Sequence, residues 1–477
     1  MAALPQSVFI ALLAALGTAL IGGGGGVLAH LARIRPRAWW ILTVFFPILW
    51  PPFFTAIGWM VALGESGLTL FQRSGFDTVG LSLLFSPWGV AAAHILSYWP
   101  IPAILAWWGL RSLDPRLADQ LRLEGGSRAR LWALHARFAA PSILQGALLV
   151  AVISLNDLGA AEMLQVTTFP MVLFTELNLS RDLAALAGMS WPLVGFLLLV
   201  GASWPFLRRL SSVEREPALE VTRSDRRVAG GWCVLLAGLL LSLGPGVALH
   251  VEVGGFLSDL SAVHLELIGE CVEATLLAAG GSMALVVALC AVLSLLPPSA
   301  RARTFLESTL FCLFALPSPI LSLALIAAMN PLPHFLVGWA DTFWILSAAC
   351  ALRFLWPSWM ILRISEEQMD RELDSLAAIE GLRGVRRLVW VHFPLHRNAW
   401  LAGAGLAWVF TVGEGVMTRI LQPPGVQTLA ARTINFMHWG HDGMVAAGLL
   451  VLGLLEVVPL LLGVLWLQTR RAPEARA

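Results

Sequence analysis

The chain contains no lysine and little charge of either sign. All 31 of its basic residues are arginine, charged residues make up 13% of the 477 residues, and the formal net charge is +1. Soluble domains carry about 25% charge, so an ordinary soluble domain is excluded. A net charge near zero gives no reason to expect a nucleic-acid partner. The hydrophobic share of 58% predicts that lipid solvates most of the chain.

Two further absences limit the chemistry. No Cys-x-x-Cys pair occurs, and the cysteines lie in or at the ends of apolar segments, which favours small buried hydrophobic residues over a redox or metal site. No G-x-x-x-x-G-K-[ST] segment occurs, and the glycines of 22–26 follow no strand, so we interpret them as a point of close helix packing or of flexibility. We predict no catalytic residue, metal or cofactor in this chain. The cysteines are Cys233, Cys271, Cys290, Cys312 and Cys350.

Eleven apolar stretches have the length of about 20 residues that a membrane-spanning helix needs. No basic side chain precedes the first of them, so we predict a span there and not a cleavable signal peptide. Arginines concentrate in alternate loops, which places the N-terminus outside and the C-terminus in the cytoplasm. The predicted spans are 7–31, 38–62, 87–110, 139–160, 185–207, 229–251, 268–296, 305–330, 342–363, 398–420 and 442–468.

The spans divide into two parallel repeats. Residues 1–221 and 257–477 each hold five spans, with a long arginine-rich loop between the third and the fourth. Because five is an odd number, the single transmembrane helix of the linker 222–256 must return the chain to the outside before the second repeat begins. The predicted fold is therefore an all-α polytopic membrane protein whose repeats are related by an axis along the membrane normal.

The two loops share a sequence pattern. The spacing predicts a short helix, a turn at glycine and a second helix. The concentration of arginine on the cytoplasmic side accounts for each arginine but not for the shared spacing, so we interpret both loops as docking elements. The first loop (114–138) contains Asp114, Leu117, Glu124-Gly125 and Arg130, and the second loop (370–397) repeats them 256 positions later as Asp370, Leu373, Glu380-Gly381 and Arg386.

A Trp-Pro pair precedes each loop at nearly the same distance. Trp99-Pro100 lies in the third predicted span, and Trp356-Pro357 lies in the ninth. Proline frees a backbone carbonyl group and bends a helix. We therefore expect a bend before the loop in both halves.

Both loops resemble the EAA motif of type-1 ABC importer permeases, in which an E-A-A triplet precedes a glycine and a hydrophobic-Pro pair follows. The triplets read Asp119-Gln120-Leu121 and Ser375-Leu376-Ala377, and both depart from the pattern. Only the second loop has the proline pair, Phe393-Pro394. The segment from Gly413-Glu414-Gly415 to Gly440 is similar to the fused two-copy members that carry iron(III), thiamine or aminoalkylphosphonates. Those members usually have twelve spans, and the first half here lacks a leading helix.

The resemblance implies a division of roles. Each loop is expected to be a coupling helix that docks on one of two cytoplasmic ABC ATPase subunits, which use the ATP, so this chain is a transport subunit and not an enzyme. An extracytoplasmic substrate-binding protein is expected to deliver the substrate to the inner (plasma) membrane. The implied coupling residues are Asp119, Glu124, Gly125, Arg130, Ser375, Glu380, Gly381, Arg386 and Pro394.

Two carboxylates at membrane depth hold similar positions in the two halves. Asp157 follows Gly125 by 32 residues, and Glu414 follows Gly381 by 33. Ionisable groups within the membrane are costly and point to function. The two side chains either line the translocation path, as a cation site or an outer gate, or cap and pair with neighbouring groups.

Other polar residues leave similar alternatives. Arg353 is expected to pair with a carboxylate such as Glu307 or Glu456, or to face an aqueous cavity, and His94 to be a hydrogen-bonded core histidine. The outer residues near the end of the chain either contact a substrate-binding protein or form a solvated loop. These outer residues are Arg432, His438, His441 and Asp442.

Two other classes of function compete with an ATP-driven importer. A secondary transporter driven by an ion gradient also uses repeats and a similar number of spans, but it gives no reason for a duplicated cytoplasmic docking loop. A membrane-embedded enzyme acting on a lipid-linked substrate needs clustered Asp, His or Arg in one outer loop, and these residues are scattered here.

Overall fold

The structure is a computed structural model, and every regular element among the residues it describes is helical. The described residues are 3–31, 47–48, 50–63, 76–110, 113, 117, 120–121, 123–125, 127–180, 183–211, 262–295, 299–329, 331, 342–367, 376–377, 379–439 and 442–471. The predicted span 229–251 lies outside them. Among these residues, five helices are long and apolar enough to cross a membrane, or up to seven if each of two bent helix pairs forms one span.

The chain divides into two compact units. Unit 1 comprises Met1–Ser180 and Ala202–Glu252, and unit 2 comprises Arg181–Gly201 and Val253–Ala477.

Unit 1 is built around the first helix, the helices before the first loop and the long helix after it. Helix α7 packs against α1 and α6, and α1 also packs against α5. The helices are α1 (Ala3–Thr18), the π-helix π1 (Ala19–Gly23), α2 (Gly24–Leu31), α3 (Pro52–Leu63), α4 (Phe76–Leu84), α5 (Pro87–Tyr98), α6 (Pro100–Gly109), α7 (Arg128–Asn156), α8 (Gly159–Met163) and α9 (Phe169–Ser180), and α10 (Leu183–Ser211) is divided between the units.

The glycine run in π1 and α2 is a point of close helix packing. A Cβ atom on Gly22 would overlap the carbonyl oxygen of Trp99, and one on Gly26 would overlap that of Ala103. The missing side chains therefore let α6 and its junction with α5 approach the first helix main chain to main chain. Of the two interpretations that the sequence left open, close packing describes these two glycines.

The expected bend before the first loop is present. Helices α5 and α6 meet at an angle of 44° at Trp99. Pro100 and Pro102 lack the N–H groups that would continue the hydrogen bonding of α5, while the amide of Ala103 still donates to the carbonyl of Trp99 over 3.4 Å. The proline pair thus redirects the helix just before it reaches the first loop.

Unit 2 has the same central arrangement of a first helix, a helix before the loop and a helix after it. Helix α14 packs against α11, α12 and α17, and α11 also packs against α17. The helices are α11 (Ala262–Leu295), α12 (Ala300–Ala315), α13 (Ser318–Met329), α14 (Phe343–Glu367), α15 (Gly384–Arg387), the π-helix π2 (Leu388–His392), α16 (Phe393–Leu395), α17 (Arg397–Val412), α18 (Val416–Leu421), α19 (Leu429–His438) and α20 (Asp442–Arg471).

The structure differs locally from two predicted spans of unit 2. The predicted span 305–330 is two helices, α12 and α13, bent by 107°. Leu316 there is extended because it precedes Pro317, and a residue before proline is disfavoured in a helix. The predicted span 398–420 is interrupted at 413–415. Pro357, where a bend was expected, lies inside the continuous helix α14.

Candidate coupling loops and charged pairs

Both loops contain the predicted glycine turn. Gly125 has φ +72° and Gly381 has φ +74°, in the left-handed region that favours glycine. The amide of Glu124 donates to the carbonyl of Gln120, and that of Glu380 donates to the carbonyl of Leu376, each over 3.0 Å. Each glycine therefore ends a short helical turn at the same place in the repeat, as a left-handed residue after a helix does.

The residue before each Glu-Gly pair is apolar and strongly exposed. Leu123 exposes 89% of its surface and Ile379 exposes 79%. Glu124 and Glu380 beside them are exposed as well. Each turn thus presents an exposed apolar side chain and an exposed carboxylate side by side.

A second helix follows each turn, but its form differs between the loops. In the first loop the hydroxyl of Ser127 accepts from the amide of Arg130 over 3.3 Å and starts the continuous helix α7. In the second loop α15 is only four residues long and leads into π2 and α16. Arg130, Arg386 and Pro394 are exposed. Asp119 and Ser375, the first residues of the two triplets, lie outside the described residues.

The π-helix π2 explains a one-residue difference between the repeats. Gly125 and Gly381 are 256 positions apart, whereas Asp157 and Glu414 are 257 apart. A π-helix has one more residue per hydrogen-bonded turn than an α-helix and acts as a one-residue insertion. Since α7 is continuous where the second half has π2, the extra residue is accommodated there.

Asp157 binds two groups of unit 1. Its Oδ2 atom lies 3.1 Å from Nε2 of His94 and accepts from the amide of Ala160 over 2.9 Å. His94 is 1% exposed, so it is the hydrogen-bonded core histidine that was expected. Asp157 thereby joins α5, which leads toward the first loop, to the start of α8.

Glu414 makes an equivalent set of contacts in unit 2. Its Oε2 atom accepts from Arg353 over 2.6 Å, and its Oε1 atom accepts from the amides of Val416 and Met417 over 3.1 Å and 3.0 Å. The hydroxyl of Ser318 donates to Oε1 over 3.2 Å and is itself in contact with the Arg353 guanidinium. Arg353 pairs with a carboxylate, as expected, but its partner is Glu414 and neither Glu307 nor Glu456.

The two carboxylates thus cap a helix and pair with a base. Each carboxylate joins the helix before its loop to the short helix that follows the long helix after the loop. That short helix is α8 in unit 1 and α18 in unit 2. Breaking a buried ion pair by removing one partner costs about 3–5 kcal/mol. These contacts are therefore strong determinants of the ends of the helices.

A cluster at the loop end of α14 was missed by the sequence reasoning. The Arg363 guanidinium donates to Glu366 over 2.8 Å and to Glu367 over 3.2 Å, and its Nε atom lies 3.8 Å from Glu307 of α12. His392 of π2 lies 3.8 Å from Glu366. We call these five residues the Arg363 cluster. Glu307 and His392 are far from Arg363 in the sequence, and only the packing of α12, α14 and π2 brings them to it.

Unit 1 has an apolar cluster at the corresponding positions. Ala106 follows Trp99 by seven residues, as Arg363 follows Trp356. The Ala106 cluster consists of Val27, Ala106, Leu110, Leu113 and Ala139, with Ile143 packed against it. His135, which precedes Asp157 by as many residues as His392 precedes Glu414, has its ring 5.7 Å from that of His30. The repeats therefore place different chemistry at one structural position.

Arg432 lies against the aromatic side chains at the end of α19. Its guanidinium donates to Gln427 over 3.0 Å and stacks 5.0 Å from the Phe436 ring and 5.3 Å from the Trp439 ring. His441 lies outside the described residues. Arg432 is therefore held in place by its neighbours.

These observations define an apolar, helical membrane protein with a repeated loop. Residues 280–474 match the family described as the binding-protein-dependent transport system inner membrane component. The match covers less than half of the chain and includes Gly381, Pro394 and Glu414. No curated protein and no solved structure matches the chain. Residues 280–474 therefore resemble the membrane component of a binding-protein-dependent transport system.

Proposed function

We propose that the whole chain is the fused permease subunit of a binding-protein-dependent ABC importer in the inner membrane. Its two loops each dock on one ATPase subunit, and its two halves together form the translocation path. The observation that carries the proposal is the duplicated turn, Leu123-Glu124-Gly125 and Ile379-Glu380-Gly381, with the same left-handed glycine and the same exposed side chains. The second copy lies within the residues that match the permease family.

The substrate proposed is iron(III), thiamine or an aminoalkylphosphonate, and it rests on the resemblance of the end of the chain to fused permeases. The two carboxylates do not select among these three. Glu414 is neutralised by Arg353, and the oxygen of Asp157 is bound by His94 and an amide. We therefore assign Asp157 and Glu414 to an outer gate in which they hold helix ends, rather than to a cation site.

The docking proposal is tested by co-purification with the ATPase subunits from membranes. Gly381→Ala should abolish or strongly reduce it, because alanine is strained at φ +74° and the turn must change. Gly425→Ala is the matched control, since Gly425 has φ +81° but lies outside both loops. Equal loss of ATPase in both variants, or none in either, would contradict the proposal.

The proposed gate has its own test in the double variant Asp157→Asn with Glu414→Gln. ATPase subunits should still co-purify with it, while uptake of the three candidate substrates by whole cells should fall, and uptake at the parent rate would remove both residues from the gate. Uptake that persists with the partner ATPase inactivated would instead favour an ion-driven secondary transporter. No observation in the described residues favours that alternative.

A further inference from the structure

We propose that Arg363 and Glu366 are positioning residues that tie the second loop to α14, so that movement of the loop and of that helix is a single motion. This inference rests on the proposed function, since it concerns how a docked ATPase moves the permease. In this inference the Arg363 cluster transmits the movement of the docked ATPase from the second loop to α14. The first half makes the corresponding connection by other contacts.

The cluster connects every element that meets at this end of unit 2. Arg363 and Glu366 belong to α14, Glu307 belongs to α12, and the hydroxyl of Ser294 in α11 donates to Glu366 over 3.4 Å. The loop side contributes His392. Four elements are thus joined through two side chains of a single helix turn.

A second contact attaches the same part of the loop to α14. The Ser365 hydroxyl lies 2.8 Å from Nδ1 of His396, the residue just before α17. His396 is 4% exposed. Both attachment points of the loop on α14, at His392 and His396, therefore lie within one turn of that helix and one turn of the loop.

The charges of the cluster favour a tight connection. One guanidinium faces three carboxylates, and both Arg363 and Glu307 are less than a tenth exposed. Carboxylates taken out of water are costly unless hydrogen-bond donors satisfy them. Moving the loop away from α14 would separate His392 from Glu366, 3.8 Å away, and would break the hydrogen bond between Ser365 and His396, so the loop and α14 are expected to move together.

The fold itself does not require this cluster. Unit 1 builds the same arrangement of α1, α6 and α7 with Ala106 and Leu110 at the positions of Arg363 and Glu367. Apolar contacts are non-directional and tolerate sliding, whereas a guanidinium–carboxylate pair fixes an orientation. The charged cluster therefore supplies a definite register between loop and helix that packing alone does not.

The test measures whether loop and helix move as one body. Spin labels replace Trp390 of π2 and Trp344 of α14, which are both exposed, in the complex with its co-purified ATPase in nanodiscs. Double electron–electron resonance then gives the distance between the labels without nucleotide and after trapping with ATP and vanadate. We expect one narrow distribution that does not shift between the two states. A shift in the unsubstituted cluster would overturn the inference.

Substitutions then ask whether the cluster is the cause. Glu366→Gln and His392→Asn should each broaden the distribution and allow it to shift with ATP and vanadate, and the double variant should be no worse than either single variant, because both remove one contact. Effects that add in the double variant, or narrow distributions throughout, would overturn the inference. These variants keep Arg363, so the test does not depend on a variant that leaves buried carboxylates unpaired.

A matched control comes from unit 1. Labels at Trp88 and Trp132, which are exposed on α5 and α7, should give a distance that His135→Asn does not change, because Nδ1 of His135 donates to the carbonyl of Leu131 in its own helix. Failure of the ATPase to co-purify with the unsubstituted chain would count against the proposed function. Normal co-purification with an unchanged distance in every variant would count against this inference alone.

Discussion

The two units use the same three-helix arrangement and differ most at the loop end. In unit 1 the helix before the loop is bent by 44° and meets its neighbours through the apolar Ala106 cluster. In unit 2 that helix is unbroken and carries the Arg363 cluster. The difference teaches that a repeat fixes where helices meet but leaves open which force holds them together.

The opposite ends of the units are alike. Asp157 and Glu414 each accept from backbone amides at a helix start and pair with a base from the helix before the loop. The base differs, since unit 1 supplies the imidazole of His94 and unit 2 the guanidinium of Arg353. Because imidazole is a weaker base than guanidinium, we expect the Asp157–His94 contact to stabilise unit 1 less than the Glu414–Arg353 pair stabilises unit 2.

The largest effect is expected from placing charge in the apolar cluster. Ala106 is fully buried, so Ala106→Arg places a guanidinium in the apolar Ala106 cluster. That cluster contains none of the three carboxylates that surround Arg363 in unit 2. The cost is several kcal/mol, on the order of the penalty for an unpaired buried ion. Ala106→Met, which adds volume without charge, should cost about 1–3 kcal/mol. Thermal unfolding in nanodiscs measures both, and equal losses would show that volume rather than charge separates the units.

The next effect compares the two carboxylates. Glu414→Gln leaves the Arg353 charge without its partner and should lower the free energy of unfolding by about 3–5 kcal/mol. Asp157→Asn keeps an acceptor for its neighbours, so its loss should be about 1–3 kcal/mol. Chemical denaturation of the two variants beside the parent chain provides the measurement. A larger loss for Asp157→Asn would reverse the proposed ranking of the two pairs.

Glycines in the first helix of each unit give a smaller contrast. Gly22→Ala meets the main-chain carbonyl of Trp99, which cannot turn away, and should cost about 1–3 kcal/mol. Gly281→Ala of α11 meets the Ser347 hydroxyl at 2.5 Å, which can rotate, and should cost less than about 1 kcal/mol. Gly280→Ala meets nothing within 4 Å and should be neutral or stabilising. Melting temperatures that rank otherwise would show that the first helix adjusts its position.

The smallest effect is a dependence on pH. Burial lowers the pKa of His396 below its ordinary value, with Glu366 opposing and His392 adding to the shift. The folded chain therefore binds fewer protons at this site than the unfolded chain, so stability is fully present above the ordinary pKa of about 6.5 and falls as pH drops below it. Unfolding measured between pH 8 and pH 5 should show this slope, reduced in His396→Gln. An unchanged slope in that variant would assign it to other groups.

The sequence predicted the features that depend on local patterns. The glycine turns at Gly125 and Gly381, the bend at Trp99-Pro100 and the close packing of Gly22 all follow from residue type and spacing. The break at Leu316 was missed because hydropathy counts apolar residues without regard to where proline interrupts the backbone. The Arg353–Glu414 pair joins residues 61 positions apart and the contact of Arg363 with Glu307 joins residues 56 positions apart, and both were missed because a single sequence does not specify how the helices pack.

The π-helix π2 also limits how the halves can be exchanged. Each residue of an α-helix turns the chain by about 100°, so a chimera joined after His392 at the offset of 256 that the loops share would present α17 rotated by that angle. Trp400 and Glu414 would then face the wrong neighbours. A junction before Leu388 at that offset, or after His392 at an offset of 257, would keep them in place, so the two halves can be exchanged only if this single extra residue is counted.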